Sequence, residues 1–124
     1  MLCPAGPAGR AGAEQWMDWN ATALWPAVRV INEAIRRDEP ASAAELEPLV
    51  AQAERWLAVL DSELARRPYL AGETFTMADI PAGVTVHRWL GLPIEKAPRP
   101  HIQRWFTALE SRPAFPAEAP SNPP

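Results

Sequence analysis

Few residues in this chain are of a type that does chemistry. One Cys and two His stand among 124 residues, and Cys3, His87 and His101 show none of the short spacings by which a protein holds a metal. Cys3 has no second thiol with which to form an internal disulfide. It precedes Pro4, with only Ala, Gly and Pro after it, and reads as a thiol in a loose segment rather than a nucleophile. His87 continues the stripe Ile80, Val84, His87, the spacing of a packed helical histidine rather than of a general base. His101 opens a helix and is expected to be solvated. The best-defined constellation is Phe75-Thr76-Met77-Ala78-Asp79-Ile80. A Thr followed three residues later by a carboxylate forms a capping box, in which the Thr76 side chain accepts from the N–H of Asp79 and the Asp79 carboxylate accepts from the N–H of Thr76. Phe75 and Ile80 stand at the spacing of a hydrophobic staple across that cap, and the carboxylate lies at the positive end of the helix dipole. With both its oxygens engaged in capping, Asp79 is expected to be structural rather than an acid catalyst.

The elements that position these residues are expected to be helices alone. Ala is used 23 times against 16 Val, Ile and Thr, and the Pro-free stretches 8–25, 49–67 and 101–112 are too long for ordinary strands. The first helix is expected over Ala13 to Arg37, with Met17, Ala21, Leu24, Val28, Ile31 and Ile35 on its core stripe and a kink at Pro26. A second apolar band, Trp16, Trp19, Ala23, Ala27, Val30 and Ala34, widens that arc beyond what one neighbouring helix covers. Asn20 falls inside the arc and Trp25 at the edge of the polar side. The second helix, Ser42 to Arg66, carries Leu46, Leu49, Val50, Ala53, Trp56, Leu57, Leu60 and Leu64 on one face; Ser42 and Glu45 make a second capping box, though Pro48 allows a start as late as Glu47. Helices from Thr76 to Leu90 and from Pro100 to Ser111 follow, the last with Ile102, Trp105, Phe106 and Leu109 inward. Trp56, Trp89 and Trp105 are expected in the core.

Composition bounds the rest. Hydrophobic residues are 48% of the chain and Pro and Gly together number 21, which excludes disorder throughout. The formal net charge is −3, and no basic run exceeds two residues, so nucleic acid is not an expected partner. Nowhere do about eighteen apolar residues run together, and the N-terminus lacks the pattern of a leader. The expectation is therefore a soluble cytoplasmic protein with one helical domain over 13–115. Residues 1–12 are expected to be a linker-like flexible segment and 116–124 a disordered tail.

Four ordered segments carry a family resemblance. Arg67-Pro68-Tyr69-Leu70-Ala71-Gly72 with Phe75-Thr76-x-Ala78-Asp79-Ile80 resembles the capped helix in the C-terminal helical domain of cytosolic glutathione S-transferases of the bacterial type. Glu14-Gln15-Trp16-Met17-Asp18-Trp19 resembles the opening of that domain's first helix. Pro100-His101-Ile102-Gln103-Arg104-Trp105 and Arg112-Pro113-Ala114-Phe115 resemble its last core helix and ending.

The resemblance implies an all-α helical bundle with no β-sheet, and a two-domain enzyme in which a thioredoxin-like domain binds glutathione and stabilises its thiolate. This chain begins where the interdomain linker of that family would lie, so the glutathione-activating half is expected to be absent. No catalytic residue, cofactor or metal is assigned to the chain alone, and glutathione enters as co-substrate only if a thioredoxin-like domain is present. The resemblance also implies that the first helix helps to form the pocket for a small hydrophobic electrophile and part of a two-fold subunit surface. Trp16, Trp19, Asn20 and Ala23 are its candidate substrate-binding or interface residues, although ordinary packing accounts for any one of them equally well. The expected partners are thus a second copy, as a homodimer, or the missing domain. By itself the chain is expected to be inactive in alkyl or aryl transfer. The alternative is a stand-alone protein–protein interaction module of the same fold.

Overall fold

A chain rich in Ala, Leu and Arg favours helix wherever Pro does not interrupt it, and the architecture follows that punctuation. The structure, a computed structural model, describes residues 6–112, with side chains over 12–112. Among them lie α1 (Gly6–Trp19), a π-helical turn (Asn20–Leu24), α2 (Trp25–Arg36), α3 (Ala43–Arg66), α4 (Asp79–Leu90) and α5 (Pro100–Glu110). No strand forms among the described residues, where Tyr69 and Gly72 make an isolated antiparallel bridge. Cys3 and Pro4 lie outside the described residues, as do Pro113, Ala114, Phe115 and the tail 116–124.

The first helix differs from expectation in two ways. It begins at Gly6 rather than Ala13, because Pro7 occupies the first turn, where a missing N–H has no helical partner to lose. It is also not one regular helix. Pro26 has no N–H for the carbonyl four residues back, and its ring would strike that carbonyl. The chain answers with a wider turn, in which the N–H of Trp25 donates to the carbonyl of Asn20, five residues back. The extra residue rotates α1 relative to α2. Ala21, which straight-helix counting aligns with Leu24 and Val28, is therefore exposed, while Asn20 is buried.

Helix α3 begins at Ala43 with the Ser42–Glu45 box intact: Ser42 Oγ accepts from Glu45 N at 3.2 Å, and Glu45 Oε1 accepts from Ser42 N at 3.2 Å. Pro48 is accommodated inside the helix, on an exposed face where the carbonyl it leaves free meets water. The following helix starts at Asp79, later than Thr76. Residues 76–78 form a tighter turn, with Asp79 N donating to the carbonyl of Thr76 at 3.1 Å and Ile80 N to that of Met77 at 3.4 Å.

The core sits around α3, which packs on α2 along one side and on α5 along another, while α4 lies against the π turn, α2 and α5. Leu57, Leu60 and Leu64 of α3 meet Leu24, Val28, Ile31, Trp105 and Leu109 in one buried cluster that also holds Trp89. Burial of each such side chain contributes roughly 1.5–3 kcal/mol. Trp56 is half-buried at its edge. Two polar contacts fix helix placement across this core. Thr85 Oγ1 of α4 donates to Asn20 Oδ1 of the π turn at 2.8 Å, and Asp61 Oδ1 of α3 accepts from the N–H groups of His101 and Ile102 at 3.1 and 3.0 Å. The second contact caps α5 from another helix, since Arg99 before it offers no side-chain acceptor of its own.

Candidate functional site

Where α1 passes the C-terminal half of α3, a groove of about 490 Å³ opens. Trp16 and Trp19 form its α1 wall, edge to face with ring centres 5.3 Å apart and planes at 82°, an arrangement that aromatic quadrupoles favour. Val59, Glu63 and Arg66 of α3 and Leu70 of the following loop face them across the groove, whose lining also includes Gly12, Gln15, Arg67 and Ala71. Glu63 pairs with Arg66 at 3.7 Å and with Arg67 at 3.3 Å. Arg66 is 70% exposed, so its pair adds little stability, and together the pairs give the groove a polar edge of both signs beside two indoles. Its size lies within the range of small-molecule sites.

Leu70, fully buried at the base of the groove, is held by the cap of α4. Tyr69 N donates to the Gly72 carbonyl at 3.0 Å and Gly72 N to the Tyr69 carbonyl at 3.2 Å, closing a tight turn that Gly72 completes at a φ of +139°, a conformation side chains disfavour. The N–H of Leu70 then donates to Asp79 Oδ1 at 3.0 Å.

Asp79 is fully buried and does more than the sequence implied. Its Oδ2 accepts from Thr76 N at 2.9 Å, the cap as expected, but Oδ1 accepts from both Leu70 N and Trp105 Nε1, the latter at 2.8 Å. The expectation that both oxygens serve the cap is corrected accordingly: one caps, and the other joins the 67–72 turn to α5. Thr76 also differs. Its Oγ1 accepts from Ala78 N at 3.2 Å, and the N–H of Asp79 goes to the Thr76 carbonyl instead, because the chain leaves Thr76 through a tight turn rather than a full α turn. Burial pushes the Asp79 carboxyl above its usual range, outweighing the three N–H donors that favour its charged form. The Phe75 ring meets Tyr69 edge-on at 6.3 Å and lies 3.9 Å beneath the Arg112 guanidinium carbon; Ile80 is half-buried.

Of the four substrate-binding candidates, Trp16 and Trp19 come together in the groove. Asn20 does not reach it, being buried in its hydrogen bond with Thr85, and Ala23 is half-buried in the π turn, away from the lining. His87 is packed as expected, stacked on Phe106 with ring centres 6.3 Å apart; His101 is half-buried. Sequence reasoning missed Val59, Glu63 and Arg66. The one signal available was Val59, an apolar residue off the stripe of Leu57, Leu60 and Leu64; it stands 40% exposed.

A bundle with a kinked first helix, a long second helix and a third helix whose capping carboxylate is buried is the C-terminal helical domain of the glutathione S-transferase fold. Residues 24–113 match the family model described as glutathione S-transferase, C-terminal domain, and the chain belongs to that family. It is 34% identical over 110 residues to glutathione S-transferase GstB of Escherichia coli strain K12, a match covering 87% of this chain and 53% of the relative. It is 30% identical over 108 residues to the disulfide-bond oxidoreductase YfcG of the same bacterium, covering 85% and 49%. The solved theta class glutathione S-transferase of Xanthomonas axonopodis pv. citri with glutathione bound superposes with a TM-score of 0.88 at 34% identity, covering 95% of this chain and 64% of that one. The chain thus spans about half the length of the curated relatives it matches.

Proposed function

We propose that this chain serves in glutathione transfer as the part that shapes a groove for a small hydrophobic electrophile, while activation of the thiol comes from a thioredoxin-like domain outside these 124 residues. The observation that carries this reading is the wall of Trp16 and Trp19 in a groove large enough for an aromatic co-substrate. A thiol like that of cysteine has a pKa of about 8.5, and holding it ionised at neutral pH takes directed donors or a helix N-terminus. The relative solved with glutathione bound is longer than this chain, which covers 64% of it, and the reading places those donors in the remainder. In the complete reaction the thiolate sulfur bonds to an electrophilic carbon as the leaving group departs with its electron pair. This chain orients the carbon and excludes water, with Asp79 acting as a positioning residue through Leu70.

Supporting features include the polar rim of Glu63 and Arg66, which suits a conjugate with an apolar body and a charged glutathionyl portion. No helix among the described residues is long and apolar enough to cross a membrane, and the reading places the protein in a reducing cytoplasm. Titration with a hydrophobic glutathione conjugate tests it: tryptophan quenching is expected to be saturable and to be lost in Trp19→Ala but kept in Trp56→Ala, a half-buried indole outside the groove. Equal quenching in Trp19→Ala would count against the groove.

A second reading, a stand-alone module in which another copy of this chain covers the groove, is favoured by the exposure of Val59 at its edge. It predicts a doubled mass on size exclusion with light scattering that reverts in Val59→Glu.

A further inference from the structure

The geometry points to a second ligand site, between the end of α4, the 91–99 connector and the start of α5, that takes a small monoanion with an apolar body, namely an aromatic or short-chain carboxylate. It is separate from the groove beside Trp16 and independent of the function proposed for that groove.

The site is a pocket of about 120 Å³. Leu57, Trp89 and Ile102, all buried, line it as apolar surface, and Leu90 beside them is 41% exposed, one of two large apolar side chains left so open among the described residues. A closed, dry cavity of roughly 150 Å³ holds a benzene ring; this pocket is smaller but opens to solvent beside the exposed Leu90, so it takes a short alkyl chain or a single ring that projects partly out of it. The remaining lining includes two cations, Lys96 and Arg99.

The connector that carries those cations is fixed. Glu54 Oε2 of α3 accepts from Ala97 N at 2.8 Å, and Arg99 Nη2 donates to Glu54 Oε1 at 3.1 Å and to the Glu54 carbonyl at 3.2 Å. Lys96 Nζ donates to the carbonyls of Leu92 at 2.6 Å and Ile94 at 3.1 Å, which leaves one of its three N–H donors for a ligand. Arg99 Nε is buried without an acceptor, so the guanidinium is itself under-satisfied. Carboxylates flank the pocket on its α3 side, Glu54 at Ala97 N and Asp61 at Ile102 N, but the third donor of Lys96 and the buried Nε of Arg99 remain unmet beside the apolar walls. A neutral aromatic supplies no charged acceptor for the free Lys96 donor, whereas a carboxylate on a ring supplies one. Burial also pushes the Lys96 ammonium below its usual range despite the nearby Glu54, as expected of a cation short of solvating partners.

Lys96 is the sole lysine of the chain, which makes the test direct. Benzoate is the probe, the full chain is acylated with the N-hydroxysuccinimide ester of acetic acid, and acetylation of Lys96 is followed by peptide mass spectrometry. Benzoate is expected to slow acetylation several-fold and saturably, and benzyl alcohol of the same shape to give no protection. In Lys96→Met, folded by circular dichroism, benzoate binding read by calorimetry is expected to weaken about tenfold, as for loss of a charged hydrogen-bond partner. Equal protection by benzyl alcohol, protection that does not saturate, or unchanged affinity in Lys96→Met would overturn the assignment. Should the variant fail to fold, the comparison of the two probes on the wild-type chain still decides.

Discussion

Two stretches of this chain share the sequence pattern of a capping box and have opposite surroundings, and only the one at Ser42 and Glu45 closes as a reciprocal box. Ser42 and Glu45 open α3 at the surface, reciprocally bonded, with Arg37 Nη2 joining Glu45 Oε2 at 2.7 Å. Thr76 and Asp79 open α4 in the interior, where the carboxylate also gathers the N–H of Leu70 and the indole of Trp105. The backbone N–H of Ser42, with the Arg37 guanidinium, holds the Glu45 carboxyl below its usual range, whereas burial lifts that of Asp79. A motif read in four residues thus reports a helix start in both places, but whether it is a surface cap or a junction of three segments depends on what packs over it.

The largest effect that sharpens this contrast is expected from Asp79→Ala. Removing the acceptor strands the N–H groups of Thr76 and Leu70 and the Trp105 indole in a dry interior, and the stability loss in urea titration should be about 3 kcal/mol or more. A loss no larger than that of a surface cap would break the comparison. Thr76→Ala removes one acceptor for Ala78 N and is expected to cost about 1 kcal/mol by the same titration. Ser42→Ala, at an exposed cap, should cost about 0.5 kcal/mol.

The pH dependence separates the two carboxylates by sign rather than size. Asp79 has its folded pKa raised, so its contribution is full below the unfolded carboxylate value of about 4 and declines as pH rises through the folded value. Glu45 has its folded pKa lowered, so its contribution is present above the unfolded value and is lost as pH falls through the folded one. Urea midpoints measured across the acid range should therefore show wild type losing ground to Asp79→Asn as pH rises and gaining on Glu45→Gln. Slopes of the same sign would contradict the assigned environments.

Much of the fold was legible because it is written locally. The stripe of Leu57, Leu60 and Leu64, the Ser42–Glu45 box, the bond from Thr76 N to Asp79 and the Pro-bounded connectors all lie within a few residues of what they determine. What escaped is long-range. The hydrogen bond from Thr85 to Asn20 spans 65 positions, and neither residue announces the other. The cap of α5 comes from Asp61, and only the lack of a side-chain acceptor at Arg99, ahead of Pro100, hinted that one was needed. Pro26 signalled a kink but not that a π turn would absorb it, and that one turn moved Ala21 outward and Asn20 inward. For the groove, Trp16 and Trp19 were singled out by a spread wider than one neighbour covers, taken together with the family resemblance of the first helix. Their α3 wall was missed because Glu63 and Arg66 look like any solvated helical ion pair until α1 is laid beside them.

The central claim, that this chain contributes a groove and not thiol activation, is tested most directly by the rate at which glutathione conjugates a chlorinated nitroaromatic in the presence of the purified chain. The account predicts the uncatalysed rate with the chain alone, at every chain concentration. A rate that rises in proportion to the chain and falls in Trp19→Ala would contradict it.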